Sequence, residues 1–547
     1  MFWVGQVSHA SKIKSDLFYL PFFYLYLIMS KIILIISAFI VFNACNNKAA
    51  ENNTENIDYR PAYHFAPDSN WINDPNGLVY YKGEYHLFYQ YNPFGAKWGH
   101  MSWGHSVSKD LMHWQKLPVA LYEDKNVKDN DSAMIFSGSA VVDINNTSGF
   151  GTKENPPMVA MYTSFVHKGR YNGKDYTEVA QSQSIAYSTD DGRKWTKYAD
   201  NPVLDIHSLD YRDPKMFWYE PQQKWVMVLV KSDRQEVWFY ESKNLKEWNY
   251  MSRWGRQGNT ATVWECPDLF EMKVEGSNEK KWVLIVSSGH PQEKFPGMQY
   301  FIGDFDGNKF SASKQYQDAV YLDYGKDFYA AVSYNNLPDD RRIIVAWLNN
   351  WVYARDIPTG DKWRGLFGVP RELNLVKNAA EYKLIQKPVA EMTALRKEVL
   401  SQDELTANST KEISYKGSSY EIEFTLKPGN INKAGIKIFK GKNEETTIYY
   451  DVVSGNLVFD RVKSGNVEFS HHFPSIEKAP VALKDGAIKI RILVDKCIAE
   501  VFINDGAVTL TDLVFPKEKD GAIELFSEGG NAVFSNLKIW EIQSSKK

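Results

Sequence analysis

Short apolar runs with a two-residue alternation fill the chain from about residue 59 onward. Glu84 to Tyr91, Met158 to Ser164, Trp225 to Lys231, Trp282 to Ser287 and Arg342 to Leu348 read as strands, and no long stretch carries a helical apolar period. One pattern recurs between them. His105 to Trp114, Ala186 to Trp195 and Phe239 to Trp248 each pass from a strand through a polar Asp/Asn turn to a tryptophan. Phe301 to Phe310 is a looser fourth copy. Repeats of several strands each point to the blades of a β-propeller, and four copies with a final blade around 329–375 make about five. A run of ordinary sandwich hairpins is the competing reading.

The texture changes after Leu384. Residues 385–410 read as a junction with room for a short helix between Gln386 and Arg396. Residues 411–547 then alternate cleanly, as in Tyr420 to Leu426, Ala487 to Leu493 and Ala499 to Ile503, with a hairpin turn at Asn504-Asp505-Gly506. The expected fold is all-β: a five-bladed β-propeller over 59–384, followed by a C-terminal β-sandwich over 411–547.

The first 45 residues have a different character. Lys31 precedes an apolar run from Ile32 to Phe42, which ends on Asn43-Ala44-Cys45. A basic start, a short apolar core and a small residue before a cysteine are similar to a bacterial lipoprotein signal, with Cys45 as the lipidated residue. Residues 1–28 then read as an extension upstream of Met29, and 46–58 as a flexible tether. A plain membrane anchor over 18–44 is the alternative, although the apolar core after Lys31 is short for a span. On the lipoprotein reading the protein is exported and meets the membrane through its lipid alone. Cys266 and Cys497 lie far apart in different expected domains, so no disulfide is expected.

Composition changes this picture little. A net charge of -3 leaves no electrostatic footprint for nucleic acid or anionic lipid. Aromatic residues make 14% of the chain, which suits strands and also suits stacking on sugar rings. The oligomeric state stays open.

Chemistry gathers at three carboxylates. In Trp71 to Gly77, Pro75 pushes Asp74 away from helical geometry and Asn76-Gly77 signals a turn, so Asp74 sits on a rigid corner at the end of a strand. An Asx-turn would use the same residues. Arg212-Asp213-Pro214 repeats the carboxylate-before-proline arrangement, with Arg212 favouring the ionised form of Asp213. A surface ion pair would look alike. Glu265 stands between Trp264 and Cys266, an apolar setting of the kind that suits a general acid, unless it faces water from an edge strand.

Taken together the motifs resemble one family. Trp71 to Gly77, Gln90 to Pro93, Trp98-Gly99, Trp103 to His105, Phe136 to Ser139, Arg212 to Pro214 and Trp264 to Pro267 match glycoside hydrolase family 32 in order and spacing. That family holds invertases, inulinases and levanases. The resemblance continues through Glu500 to Gly506 and covers about residues 59–543. It implies the same propeller-plus-sandwich architecture. It implies Asp74 as nucleophile, Glu265 as acid/base and Asp213 as transition-state stabiliser in a retaining mechanism. It implies that Asn73, Gln90, Trp98, Ser137 and Arg212 line a fructose subsite, with Trp71, Phe136 and Trp351 as walls. Trp347 is close enough in sequence to replace Trp351. No cluster with metal-ligand spacing is present, and hydrolysis by two carboxylates needs neither metal nor cofactor. The expected substrates are β-fructans (levan, inulin) and sucrose. A sucrose-preferring invertase, an endo-acting levanase, a fructosyltransferase and a non-catalytic fructan-binding protein remain as alternatives.

Overall fold

The computed structural model describes residues 57–126, 131–166, 169–171, 174–176, 178–290, 295–379 and 381–546. The expected signal, Cys45 and nearly all of the tether lie outside the described residues. Five antiparallel meanders of four strands form the propeller. Their inner strands are Asn70–Tyr81, Asp131–Val142, Tyr211–Tyr219, Glu265–Lys273 and Tyr329–Ser333. The first blade gains an extra edge, because Trp363–Arg364 of the last blade pairs in parallel with Asn70–Tyr81. That pairing ties the end of the propeller to its beginning.

The four repeat copies are the links between third and fourth strands of the first four blades. Each is closed by an acidic or amide side chain that caps its own turn. Asp110 Oδ1 accepts from the Met112 and His113 amides at 3.0 and 2.8 Å. Asn244 Oδ1 does the same for Lys246 and Glu247, and Asp306 Oδ1 for Asn308 and Lys309. The tryptophan then ties back, as Trp195 Nε1 donates to Gly192 O and Trp248 Nε1 to Leu245 O, both at 3.0 Å. The fifth blade, with outer strands Arg371–Asn378 and Glu381–Pro388, carries no such copy.

Two six-stranded sheets face each other in the C-terminal part, around a core that includes Ile422, Phe424, Ile436, Leu525 and Phe534. Their first strand, Arg396–Ala407, lies inside the stretch read from the sequence as a junction. It pairs with the last strand, Ala532–Ile542, and is mostly exposed, so it has no apolar alternation to read. The short helix of that stretch is a 3-10 turn, Ala390–Leu395, with Met392 and Leu395 buried.

The strand Ile498–Ile503 is buried on both faces. Ala499, Val501 and Ile503 face the sandwich core, while Phe502 joins the apolar cluster of Trp71, Ile72 and Trp347. Between Ala499 and Val501, Glu500 accepts from Arg371 Nη2 at 2.5 Å and contacts His64 Nε2 at 2.9 Å. A second buried pair, Arg461 with Asp327 at 2.6 Å, lies in the same seam. The sandwich is therefore fastened to the propeller by apolar burial and by ion pairs whose partners come from both parts.

Candidate active site

All five inner strands break register at one level. The breaks fall between Ile72 and Pro75, Ile135 and Gly138, Arg212 and Lys215, Glu265 and Asp268, and Tyr329 and Val332. Each inner strand advances three residues there while its neighbour advances two. Such bulges bend a strand and re-aim its side chains. Asp213, Cys266 and Ala330 take left-handed backbone, with φ of 62°, 45° and 55°. For residues other than glycine this costs about 1–3 kcal/mol each, so the surrounding sheets hold the conformation in place. The result is a ring of re-aimed residues at one end of the propeller: Asn73 and Asp74, Phe136 and Ser137, Asp213, Glu265 and Cys266, and Tyr329.

Asp74 is buried and held from both sides. Asn73 Nδ2 donates to its Oδ1 at 3.0 Å, and Ser137 Oγ donates to its Oδ2 at 2.6 Å. Asn73 is itself fixed by Trp71 Nε1, which donates to its Oδ1 at 2.8 Å. Asp213 Oδ2 accepts from the Cys266 amide at 2.9 Å, and the Asp213 amide donates to Thr163 Oγ1 at 3.0 Å. The Cys266 thiol lies 3.6 Å from Asp74 and 3.8 Å from Asp213. Glu265 meets Arg212, whose Nε and Nη2 donate to Oε1 at 3.3 and 3.2 Å. Tyr329 donates its hydroxyl to Oε2 at 2.7 Å. Glu265 has 19% of its side chain exposed against 6% for Asp213, so Glu265 is the more open of the two.

The aromatic residues stand around this ring. Trp351 lies over Trp71 at 6.4 Å with an 18° interplanar angle. Trp347 is fully buried behind it, so Trp351 is the tryptophan that reaches the surface here. Phe136 stacks on Phe165 at 4.6 Å and meets Trp98 edge-on at 6.3 Å. Gln90 is buried one step back, donating to the Asn76 side-chain oxygen at 3.1 Å. Of the site residues expected from the sequence, Trp71, Asn73, Asp74, Phe136, Ser137, Arg212, Asp213 and Glu265 lie on the inner strands, Gln90 on the second strand of the first blade, and Trp98 and Trp351 on loops beside them, while Cys45 is outside the described residues.

Residues 64–388 match the glycosyl hydrolases family 32 N-terminal domain, and residues 391–541 match the glycosyl hydrolases family 32 C terminal. The chain belongs to glycosyl hydrolases family 32. It is a glycoside hydrolase. Levanase of Bacillus subtilis (strain 168) is 46% identical over 503 residues, covering 90% of this chain and 71% of that protein. A crystal structure of exo-inulinase from Aspergillus awamori superposes with a TM-score of 0.84 at 37% identity, covering 89% of this chain and 99% of that one. Fructofuranosidase from Schwanniomyces occidentalis complexed with fructose gives a TM-score of 0.78 at 30% identity, covering 90% of this chain and all of that one.

The family frame makes the local electrostatics informative. Arg212 is met by Asp210, Asp213 and Glu265, and Asp74 stands close to the last two, so carboxylates outnumber the one guanidinium. Burial pushes Asp213 up to a pKa of about 7; Arg212 opposes this, and the charges of Glu265 and Asp74 add to it. Burial also raises Asp74, against the hydrogen bonds from Ser137 and Asn73 that favour its ionised form. Burial, reinforced by the neighbouring carboxylates, keeps the Cys266 thiol protonated.

One sequence expectation is corrected. Trp264 does not give Glu265 an apolar setting. Its ring is turned into the propeller core against Trp254 and Phe301, and its Nε1 donates to Asn259 O at 2.9 Å. The Glu265 carboxylate instead sits between a cation and a phenol. Sequence reasoning also missed Tyr329, Thr163 and the contacts of the Cys266 thiol. Tyr329 belongs to no acidic motif; only its place at the start of a fifth inner strand marks it. Among the described residues, no group of three or more His, Cys, Asp or Glu side chains is arranged to hold a metal ion.

Proposed function

We propose that this enzyme removes terminal β-D-fructofuranosyl units from fructans of the levan and inulin type, and from sucrose, by double displacement. The observation that carries the reading is the convergence of Asp74, Asp213 and Glu265 at one level of five bulged strands, in a chain akin to levanase and exo-inulinase. Asp74 attacks the anomeric carbon while Glu265 protonates the departing oxygen, leaving a fructosyl ester on Asp74. Glu265, now a carboxylate, takes a proton from water, and the water opens the ester. Asp213 holds ring hydroxyls as positive charge builds on the sugar.

The supporting cast follows from the contacts. Ser137 and Asn73 keep the Asp74 carboxylate ionised and aimed. Arg212 and Tyr329 fix the rotamer of Glu265, so its proton is delivered along one line. Trp98, Phe136 and Trp351 wall the sugar, Trp71, fully buried under Trp351, acts one step back by holding Asn73, and Gln90 supports the floor through Asn76. Sugar release from levan, inulin and sucrose tests the reading. Fructose as sole early product from levan and inulin is expected. Oligosaccharides as first products would make the enzyme endo-acting, and no release from any substrate would make it a binding protein.

For location we propose an exported, lipid-anchored enzyme, with Cys45 acylated and residues 46–58 as its leash. Support comes from the basic, apolar and cysteine-ended N-terminus. Several acyl chains on one cysteine would anchor it firmly, where one would bind only marginally. Cys45→Ser should release the protein from the membrane fraction. Unchanged membrane retention with an uncleaved apolar segment would contradict the lipid anchor.

A further inference from the structure

A cavity of about 690 Å³ opens at the end of the propeller away from the three carboxylates. The strand Tyr211–Tyr219 shows the separation: Arg212 and Asp213 stand at one end, Phe217, Trp218 and Tyr219 at the other. Strand geometry puts these ends roughly 15–20 Å apart. The volume falls within the ~300–1,000 Å³ typical of small-molecule sites.

The wall is aromatic and firmly built. Phe217 and Tyr219 pack on Trp282 with centroids at 5.4 and 6.0 Å, and all three remain partly open. Trp218 meets Trp225 edge-on at 5.1 Å and donates Nε1 to Glu220 at 2.6 Å. Across from this wall, Arg342 lies over the Phe270 ring at 4.9 Å. Its Nη1 reaches Tyr334 O at 3.2 Å and Ser333 Oγ at 3.5 Å. Its Nη2 has no acceptor, and the guanidinium has no ion-paired carboxylate, among the described residues. Asn336 spends its amide nitrogen on Tyr80 O at 2.8 Å and leaves its oxygen open. Two carboxylates in the same lining, Glu220 and Glu271, outnumber the one arginine and disfavour an anionic ligand.

We infer that this face is a second carbohydrate site, taking a short run of a neutral fructan chain. Apolar faces of sugar rings stack on Tyr219 and Trp282 on one side of the strand end and on Trp218 on the other, while hydroxyls pair with Arg342 Nη2 and the Asn336 oxygen. The site performs no chemistry. It holds a polymer on the enzyme while chain ends reach the carboxylates at the other face, so the second encounter becomes intramolecular. The inference rests on fructans being the substrate.

The test uses the full chain carrying Asp74→Asn, so that the ligand survives. Titration with an inulin-type tetrasaccharide should show two sites per chain. Hydrogen exchange should slow at 217–221 and 335–336 as well as around residue 74. The variant Trp218→Ala/Asn336→Ala, with Asp74 intact, should keep wild-type kcat on sucrose while KM for levan or inulin polymer rises roughly tenfold or more. One site per chain, with protection only around residue 74, would overturn the second site, as would an unchanged polymer KM. A wild-type enzyme that releases no sugar from any fructan would instead sink the substrate reading, and that result is read separately.

Discussion

Tyr329 donates its hydroxyl to Glu265 Oε2 at 2.7 Å, while Arg212 holds Oε1 at 3.2 and 3.3 Å. One carboxylate is thus clamped on both oxygens by residues from two other blades. Removing the phenol leaves the ring in place and deletes one hydrogen bond to the group proposed to deliver the proton. Such a bond contributes about 1.5–3 kcal/mol. Tyr329→Phe should therefore lose about 10- to 100-fold in kcat on fructans, with KM little changed. A fructoside with a good leaving group needs less protonation and should lose less in the first step. Equal loss on both substrates would make Tyr329 a packing residue only.

Ser137 gives the same kind of support to Asp74, at 2.6 Å. Its hydroxyl favours the ionised carboxylate, opposing the rise caused by burial. Without it the proton binds more tightly, so Asp74 is neutral up to a higher pH. Ser137→Ala should shift the acid limb of the kcat/KM profile to higher pH and lower the plateau. An acid limb in its wild-type place would remove Ser137 from the account.

The seam between the two parts has its own pH signature. Burial pulls His64 down, but its hydrogen bonds to Asp495 and Glu500 outweigh that and lift its pKa to about 8. Burial pushes Glu500 up, but Arg371 and His64 outweigh it and bring its pKa to about 2. A raised histidine contributes stability that is full below its unfolded pKa of about 6.5 and is lost as pH rises through the folded value. A depressed glutamate contributes stability that is full above about 4.3 and is lost as pH falls through the folded value. Thermal melting of the seam should therefore peak between about pH 4.5 and 6.5 and decline by pH 9. His64→Gln should flatten the alkaline decline; an unchanged slope from pH 6 to 9 would rule out His64 as its source.

The sandwich should be indispensable for folding. Leu493, Phe502 and Ile542 share one apolar cluster with Trp71 and Ile72 of the first blade. A chain ending after Pro388 would leave that surface bare and strand Arg371 without Glu500. Removing one partner of a buried ion pair costs about 3–5 kcal/mol by itself. The truncated propeller should aggregate on expression. A soluble, monomeric product that had lost only polymer affinity would make the sandwich a binding module.

The blades were legible because their repeat is local. An Asp or Asn that caps its own turn, followed by a tryptophan that ties back to it, is written in about ten consecutive residues, as in Phe239 to Trp248. The fifth blade lacks that device and could be placed only by its apolar runs. The carboxylates were legible through Pro75 and Pro214, which mark breaks in strands, and through the family resemblance. Tyr329 was not, because its bulge exists only relative to a partner strand eighteen positions away at Trp347. The setting of Glu265 was misread for a related reason. Trp264 lies just before the strand Glu265–Lys273 and turns its ring into the core, so it says nothing of the carboxylate beside it. Arg396–Ala407 escaped notice because an exposed strand has no alternation to betray it.

In the proposed mechanism Asp74 carries the sugar between the two displacements. Glu265→Gln should form the ester with an activated fructoside but resolve it slowly, since the base for water is gone. Intact-mass analysis of that variant during turnover, followed by peptide mapping, reads the intermediate directly. An added fructosyl unit is expected on the peptide containing Asp74, absent when Asp74→Asn is introduced as well. An adduct on Asp213 or elsewhere, or full activity in Asp74→Asn alone, would contradict it.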